Sequence, residues 1–484
     1  MRDGPLAVLL GLLTALSRIP FVTHRLWEWD SVLYARALEG GFHVDDVLAG
    51  SRPHPPGYIF YVASAALGKA AGFSSNDALV AVAVVASGVA AAAFYLLCRR
   101  FVGRSLSLLV TAAFVADPLL WLHGEVAMPY IMLAPLGTIL ALAFLETRRR
   151  GGRGPVLASA LFGALAGFRQ DLLLFLLPLW LWMEAPMPWR TRVASLAALG
   201  VGCLVWFVPS AALSDGPIAY VSRTIHQFAG LSGVSGNAGR SIAVNLVLVG
   251  DSLLWALLAI TFPLAVLGLA RALARVRGIR AEAGSDTTMV FFTLWLLPAL
   301  LFYVFVHIGE WGFVTTLVPG LYAMFAWLLR PIVPRLGRAA RVAGGAFIAA
   351  DALLGAALFV FGADPVFSAA SLAEHDAATD AKTAYIQRHL APGATVILAG
   401  ADVLVARYYA PGYVIWYSDG MSDAVYTRQL DRDVTLVVYE PRAHPPLRAP
   451  YERVQVAPGI ELEVAPITYR NIGITGVDID AAPR

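Results

Sequence analysis

Long apolar runs fill most of the first 362 residues, and short arginine-rich segments separate them. Several runs approach the roughly 20 residues that a helix needs to cross a hydrocarbon core of about 30 Å. The pattern predicts eleven membrane-spanning helices, at residues 5–22, 77–98, 105–122, 127–146, 155–167, 172–185, 193–213, 250–270, 287–306, 312–330 and 341–362.

The arginine clusters orient these spans, because Lys and Arg concentrate in cytoplasmic loops. Clusters such as Arg148 to Arg153 and Arg330 to Arg341 then lie inside, with the N-terminus inside and the C-terminus outside. The first span has no small-residue cleavage site, so we expect a retained helix rather than a signal peptide.

The first outer loop is long, covering residues 23–76. Residues 57–71 within it are apolar, but counting them as a span would put Arg148 to Arg153 on the wrong side. The segment is also short and follows His54-Pro55-Pro56-Gly57. It is predicted to be an interfacial or re-entrant helix.

A charged break, Arg169-Gln170-Asp171, interrupts the apolar stretch 155–185. A single helix would place two charges at mid-membrane, which is costly. The prediction is two short helices that meet near the outer face. The alternative is one helix with a buried Arg–Asp pair.

After residue 362 the pattern changes to short alternating elements, which divides the chain into a membrane domain, 1–362, and a C-terminal domain, 363–484. Alternating strands and helices are typical of an α/β domain with a largely parallel sheet. The topology places it outside the cytoplasm. The predicted helices are 380–390, 402–409 and 421–430, and the predicted strands are 395–399, 413–417 and 434–439.

Composition agrees with a polytopic α-helical membrane protein. Hydrophobic residues make up 58% of 484 residues and charged residues 14%, with a mean hydropathy of +0.68. No basic run is interleaved with aromatics, so nucleic acid is not a predicted partner. No GxGxxG motif indicates a nucleotide site. Arg far exceeds Lys, which suggests a bacterial origin.

The predicted outer loops carry more polar side chains than connectors need. Loops held by rigid helices are where binding and catalysis are usually built. Taken singly, each residue fits an ordinary polar interface, but together they indicate a site in one compartment. Its candidates are Glu28, Asp30, His54, Tyr58, Glu125, Arg169, Asp171, His226, Arg240 and Glu310.

The chain resembles the polyprenyl-phosphate-sugar-dependent glycosyltransferases of the C-type fold, near the protein O-mannosyltransferase and aminoarabinose transferase group. The resemblance rests on an acid after the first span, Asp30 in Glu28-Trp29-Asp30-Ser31, and on His54-Pro55-Pro56-Gly57-Tyr58. Two further features support the resemblance: the arginine-flanked hairpin 77–122, which ends at Glu125, and the charged break at Arg169. The resemblance covers residues 1–185 well and the later spans by pattern.

The resemblance implies an inverting transfer of a sugar from a polyprenyl phosphate to an extracytoplasmic acceptor, by an enzyme of the inner membrane. Family proteins often have two adjacent acids at the first position, whereas Trp29 separates Glu28 from Asp30 here. Asp30 is the preferred base and Glu28 the alternative. A raised pKa is expected for Asp30 at a Trp-rich boundary, and capping of a helix near Ser31 is its structural alternative.

The other candidates have roles in binding donor or acceptor. Arg169 suits the donor phosphate, because a guanidinium meets phosphate oxygens in a bidentate way. A structural pair with Asp171 is the alternative. Arg240 is a weaker phosphate partner, Glu125 would bind sugar or acceptor, and His54 would orient Asp30 or the acceptor.

No cofactor is predicted. Glu28, His54 and Glu125 are the residues available to a divalent cation, but their spacing matches no local metal motif. A flippase for lipid-linked saccharides should carry polar groups through mid-membrane, whereas here they collect at one face. A catalytically inactive relative is the other alternative. The C-terminal domain is expected to bind the acceptor or cover the site.

Overall fold

The computed structural model describes residues 2–45, 51–233, 238–276, 286–417, 425–429, 433–441, 450–467 and 471–475. The first half of the chain is helical: α1 (Asp3–Arg18), α2 (Trp29–Gly40), α3 (Ile59–Ala70), α4 (Ser75–Cys98), α5 (Arg104–Val115), α6 (Pro118–His123), α7 (Leu133–Arg150), α8 (Gly154–Leu165), α9 (Asp171–Glu184) and α10 (Trp189–Ala212).

The second half continues with helices and ends in strands. The helices are α11 (Pro217–Gly233), α12 (Ala238–Ala256), α13 (Thr261–Val276), α14 (Asp286–Phe305), α15 (Val318–Leu329), α16 (Arg338–Phe361), α17 (Ala369–His389) and α18 (Val403–Tyr409). The strands are β1 (Thr395–Ala399), β2 (Val414–Tyr417), β3 (Val425–Gln429), β4 (Val434–Val438), β5 (Glu452–Ala457), β6 (Ile460–Ile467) and β7 (Asn471–Thr475).

Six helical segments among the described residues are long and apolar enough to cross a membrane. They are Asp3–Phe21, Ser75–Cys98, Tyr130–Arg150, Trp189–Ala212, Thr287–Phe305 and Arg338–Phe361. A seventh candidate is a pair bent by 53°, Ile242–Ala256 with Leu258–Leu269. Other predicted spans contain only short helices, such as α5 and α15 with 12 residues each, about 18 Å long. The count of eleven crossings therefore stays a prediction.

Small residues let the membrane helices approach closely. Helices α1 and α4 cross where Gly11 faces Gly88. A Cβ on Gly11 would lie 2.8 Å from the Gly88 carbonyl oxygen, and a Cβ on Gly88 would lie 2.7 Å from that of Gly11. Such contacts are typical of membrane helix pairs, which associate through backbone packing rather than a hydrophobic drive. The first span is thereby fixed against the core helix α4.

The stretch 155–185 forms two helices, as predicted. Helix α8 ends at Leu165 and α9 begins at Asp171. Arg169 lies in the break between them and is buried, with a salt bridge to Asp171. The buried pair of the alternative is thus present as well, within a two-helix arrangement.

The C-terminal sheet is mixed rather than largely parallel. Its strand order is β2-β1-β4-β6-β5. Strand β1 runs parallel to β2 and β4, whereas β6 runs antiparallel to both β4 and β5. The parallel prediction therefore holds only for the three strands on one side.

The predicted helix 421–430 is wrong over residues 425–429, which form β3; residues 421–424 and 430 lie outside the described part of the chain. Strand β3 pairs with β7, more than 40 residues further on. The β-branched and aromatic run Val425-Tyr426-Thr427 favours a strand once a partner is available. The predicted helix 380–390 is the last part of a longer helix, α17.

Helices α17 and α18 dock on the start of the first outer loop. The carboxylate of Asp376 accepts hydrogen bonds from the backbone N–H groups of His24, at 2.6 Å, and Arg25, at 3.0 Å. The Tyr409 hydroxyl accepts one from the Leu26 N–H at 2.9 Å. These contacts fix the segment that leads directly into α2 and Asp30.

Candidate active site

The candidate base lies in the first turn of helix α2. Glu28 occupies the N-cap position, its N–H donating to the Ser31 hydroxyl at 3.0 Å and its carbonyl accepting from that hydroxyl at 2.5 Å. Asp30 is the second residue of the helix, so the expectation that it caps a helix near Ser31 is wrong. Its carboxylate is available to another partner.

That partner comes from the segment His54 to Tyr58. Gly57 has a φ of +102°, and a Cβ there would lie 2.6 Å from Val44 Cγ2 and 2.7 Å from Phe42 Cζ. Only glycine meets both conditions. The next residue, Tyr58, is also left-handed, with φ 46°. This sharp turn into α3 brings His54 back toward α2.

Asp30 and His54 form a buried ion pair. His54 Nε2 lies 3.2 Å from Asp30 Oδ2, and its Nδ1 lies 2.7 Å from the Pro55 carbonyl oxygen. A carbonyl only accepts, so Nδ1 carries a proton, and Nε2 donates to Asp30 when the ring is protonated. Burial disfavours the charged form of both groups. The opposite charge of the partner and the hydrogen bond between them favour it, and these two effects together are larger than the effect of burial. The pKa of His54 is raised and that of Asp30 is lowered.

The expected raised pKa of Asp30 is therefore wrong. Sequence reasoning weighed burial alone, whereas His54 and Arg169 add positive charge that stabilises the carboxylate. Asp30 is ionised at neutral pH and able to accept a proton.

Arg169 lies at the same end of the site, beneath aromatic rings. Its side chain is 2% exposed, and one terminal nitrogen lies 2.7 Å from Asp171 Oδ2. The guanidinium carbon lies 4.6 Å from the ring centroid of Tyr58, 5.1 Å from that of Tyr130 and 5.3 Å from that of Phe313. Cation–π contacts and one carboxylate hold this charge in a fixed position away from water.

Two further carboxyl groups, Glu28 and Glu310, lie beside this ion network. Burial is the main reason that the pKa of each is raised, and their hydrogen bond to one another fixes where the proton resides. The pKa of Glu310 is raised to about 7, and that of Glu28 is raised well above its usual value, with Glu310 and Asp30 adding negative charge. Glu28 is therefore the protonated partner at neutral pH.

These residues surround a cavity of about 600 Å³. Its polar end carries Asp30, His54, Arg169 and Glu310, together with Trp29, Tyr58, Tyr130, Gln170 and Asp171. The other end is apolar and includes Leu174 of α9, Phe228 of α11 and Val306 after α14. Leu174 and Phe228 are about half exposed, at 54% and 52%. This flank of the cavity is therefore apolar and partly exposed.

The cavity brings together Asp30, His54, Tyr58, Arg169, Asp171 and Glu310 from the sequence-predicted set, and Glu28 adjoins it through Glu310. His226 is exposed on α11 and does not line the cavity, although Thr224 and Gln227 of that helix do. Arg240 belongs to α12, but its side chain lies outside the described part of the structure.

Glu125 does not belong to this cavity, contrary to the sequence interpretation. It is fully buried, and its backbone carbonyl accepts from the N–H of Thr23 at 3.0 Å. Its neighbours are Arg18 and Trp121, whose guanidinium and ring lie 4.2 Å apart. Burial raises the pKa of Glu125, opposed by Arg18. Glu125 therefore faces the protein interior. Its place in the sequence after a predicted span does not give it access to the cavity.

Two aromatic lining residues had no signal in the sequence. Tyr130 and Phe313 are ordinary members of apolar stretches, and only packing brings them to the cavity. Because Glu125 is elsewhere, the set Glu28, His54 and Glu125 is not assembled. Within the described residues, no group of three or more His, Cys, Asp or Glu side chains is arranged to hold a metal ion.

Two solved structures of ArnT from Cupriavidus metallidurans share this architecture. The one bound to undecaprenyl phosphate matches with a TM-score of 0.57 and 12% identity, over 95% of this chain and 97% of that chain. The apo structure matches with a TM-score of 0.52 and 14% identity over the same shares. The chain has the C-type glycosyltransferase fold.

An oligosaccharyltransferase from Archaeoglobus fulgidus gives a TM-score of 0.47 at 13% identity, over 85% of this chain and 64% of that one. No family model and no curated protein matches the sequence. The similarity to ArnT concerns the fold alone. The chemistry follows from the residues of this chain.

Proposed function

We propose that the protein is a glycosyltransferase that moves a sugar from a polyprenyl phosphate to an acceptor hydroxyl or amine, with inversion. One observation carries the proposal: a single cavity joins an apolar, half-exposed flank to a polar end with one fixed cation and one ionised carboxylate. That combination suits a substrate with a lipid tail, a phosphate and a reacting sugar. The ArnT structure of the same fold is bound to undecaprenyl phosphate, which supports this donor class.

In this proposal the donor lies along the cavity. Its tail leaves between Leu174 and Phe228, where the wall is apolar and half exposed. Its phosphate meets Arg169, whose charge is prepositioned and screened from water by three rings. Such a preorganised cation stabilises the charge that develops on a departing phosphate.

Asp30 acts as the base. The acceptor O–H or N–H gives its proton to the Asp30 carboxylate, while the acceptor atom bonds to the anomeric carbon. The bond between that carbon and the phosphate oxygen breaks, and polyprenyl phosphate leaves with the electron pair. A single displacement from the opposite side inverts the configuration. Glu28 is the weaker candidate base because its raised pKa keeps it protonated.

His54 positions Asp30 through their 3.2 Å contact, and the hydrogen bond to Pro55 fixes the imidazole ring. The Glu28–Glu310 pair supplies one donor and several acceptors to sugar hydroxyls at the same end. Tyr58 and Asp171 hold Arg169. Arg240 stays a weaker candidate partner of the donor phosphate, as the sequence suggested, and His226 is exposed on α11 outside the cavity.

The proposed setting is the bacterial inner membrane, with many spans, the N-terminus in the cytoplasm and the C-terminal domain outside. A lipid-linked donor fits that compartment, because nucleotide sugars are absent there. The acceptor is a protein, lipid or glycan presented on the outer side.

The test is reconstitution in liposomes with polyprenyl-phosphate sugars and a panel of acceptors, comparing wild type with Asp30→Asn. Loss of a positioned base should lower the transfer rate about 10²- to 10⁴-fold. Asp77→Asn serves as the control, since Asp77 is a half-exposed carboxylate at the start of α4, outside the cavity. Equal turnover in wild type and Asp30→Asn would exclude Asp30 as the base. Movement of intact donor across the bilayer without transfer would identify a flippase instead.

A further inference from the structure

A second large cavity lies among the helices of the membrane domain. It has a volume of about 720 Å³ and lies between α5, α13, α15 and α16. Its wall is mostly apolar and includes Leu106, Leu109, Val266, Leu329 and Phe347. A groove of this size is in the range of sites that hold lipid-sized or drug-sized ligands.

The groove shares no lining residue with the catalytic cavity. It follows the first turns of α16, which has 24 residues and is therefore about 36 Å long. Near the other end of α16, Phe359 stacks on Trp121 with ring centroids 5.1 Å apart, beside the span end that leads into the first outer loop.

Positive charge marks one end of this groove. Arg338 and Arg341 line it, are exposed, and make no salt bridge with the described residues. They lie in the first turn of α16, which contains no acidic residue and whose N-cap, Gly337, provides no side-chain hydrogen bond. The helix dipole therefore adds to the charge of both arginines. A span that begins with two arginines puts them at the depth of lipid headgroups.

Glycines keep the groove open below these arginines. A Cβ at Gly344 would meet no atom within 4 Å, and one at Gly345 would meet only Leu109 Cδ2, at 3.9 Å. Both residues line the groove. The space is thus free of protein atoms directly along the path that leads from the charged end to the apolar wall.

We propose that this groove is a binding site for an anionic glycerophospholipid. The headgroup phosphate lies between Arg338, Arg341 and the start of α16, and an acyl chain follows Gly345 along the apolar wall. Charge complementarity selects this occupant over a zwitterionic lipid, because each basic residue near the surface contributes to attraction for anionic lipid. The site is distinct from the proposed donor site and does not depend on the transfer reaction.

The test is lipid titration of the full-length protein in detergent, followed by native mass spectrometry. Phosphatidylglycerol and phosphatidylcholine with the same acyl chains are compared, with glycerol phosphate as a headgroup-only competitor. We expect tighter binding of phosphatidylglycerol, no competition by glycerol phosphate, and a loss of about 10- to 30-fold in its affinity in Arg338→Gln/Arg341→Gln. Arg190→Gln, an exposed arginine at the start of α10, should bind like wild type.

Gly345→Leu provides an independent test, because it fills the groove and leaves both arginines. It should reduce binding of both lipids. Equal affinity of the wild type for the two lipids, or wild-type affinity for phosphatidylglycerol in both the double variant and Gly345→Leu, would overturn the proposal. Melting curves recorded without added lipid show that each variant is folded before it is titrated.

Discussion

His54 donates from Nδ1 to the Pro55 carbonyl, so its Nε2, 3.2 Å from Asp30, carries a proton only in the charged ring. The Asp30–His54 ion pair therefore exists only over a limited pH range. The lowered pKa of Asp30 sets its acidic limit, and the raised pKa of His54 sets its alkaline limit. On the alkaline side, stability from the pair is fully present at the unfolded-state pKa of His54, about 6.5, and is lost as pH rises through the raised folded-state value. On the acidic side, it is lost as pH falls through the lowered pKa of Asp30.

The pair predicts an alkaline limb in the rate of transfer. Loss of the His54 proton removes the contact that orients Asp30, so the rate should fall as pH rises through the raised pKa of His54. In His54→Gln we expect a rate about tenfold lower at neutral pH, with no such limb between pH 6 and 9. The measurement is the pH profile of single-turnover transfer. Matching alkaline limbs in wild type and His54→Gln would assign the limb to another group.

Arg169 is predicted to act on the donor phosphate rather than only on Asp171. Arg169→Lys keeps a charge but loses the planar fork that binds two phosphate oxygens and stacks on rings. We expect kcat/KM for the donor to fall about 30- to 1,000-fold, equivalent to roughly 2–4 kcal/mol. Donor affinity and single-turnover rate, measured in liposomes, separate binding from chemistry.

Asp171→Asn is the matched control for this variant. It breaks the salt bridge at 2.7 Å but leaves the guanidinium under Tyr58, Tyr130 and Phe313. A smaller loss than in Arg169→Lys supports the phosphate role. If both variants lose the same activity and the same stability, Arg169 serves only as a structural partner of Asp171.

The sequence was sufficient for features that depend on local pattern. The apolar run 77–98 corresponds to α4, and the charged break at Arg169 separates α8 from α9. Asp30, His54 and Tyr58 lie within one loop, and a turn that requires Gly57 brings them together. The span and the break extend over few residues, so periodicity and charge were enough to predict them, whereas the common site of Asp30, His54 and Tyr58 was expected from the family resemblance.

Features that depend on distant packing were not predictable in this way. Glu310 reaches Glu28 across more than 280 residues, through the packing of the helices around the cavity. Glu125 follows an outer span but faces the core beside Arg18, which no sequence pattern indicates. Strand β3 was predicted to be helical because its partner β7 lies far along the chain.

Glu310 predicts a second pH effect, on donor binding. Its pKa is raised to about 7, chiefly by burial. Above that pH a new negative charge appears close to the phosphate position, so donor affinity should fall by about tenfold or less between pH 6 and 8.5. Glu310→Gln should remove the part of this decline that is centred near pH 7. The measurement is equilibrium binding of a non-hydrolysable donor analogue, and an unchanged decline in Glu310→Gln would exclude this carboxyl as its origin.

The C-terminal domain is predicted to support Asp30 as well as to receive the acceptor. Asp376 accepts two backbone N–H groups of the segment before α2, at 2.6 and 3.0 Å, and thereby fixes the start of the first outer loop. Asp376→Ala leaves these donors without a partner, which costs about 1–3 kcal/mol locally. Because this segment carries Glu28 and Asp30, we expect kcat to fall several-fold for small and large acceptors alike.

Asp380→Asn is the control for Asp376→Ala. Asp380 lies on the same helix, its Oδ1 lies 2.5 Å from Arg25 Nε, and about half of the Asp380 side chain is exposed. Exposed pairs contribute about 0–1 kcal/mol, so its kcat should change little. A loss confined to large acceptors in Asp376→Ala would indicate that the domain acts on the acceptor alone. A uniform loss would show that a residue more than 340 positions from Asp30 helps to position it, since the docked helix α17 holds the loop from which α2 begins.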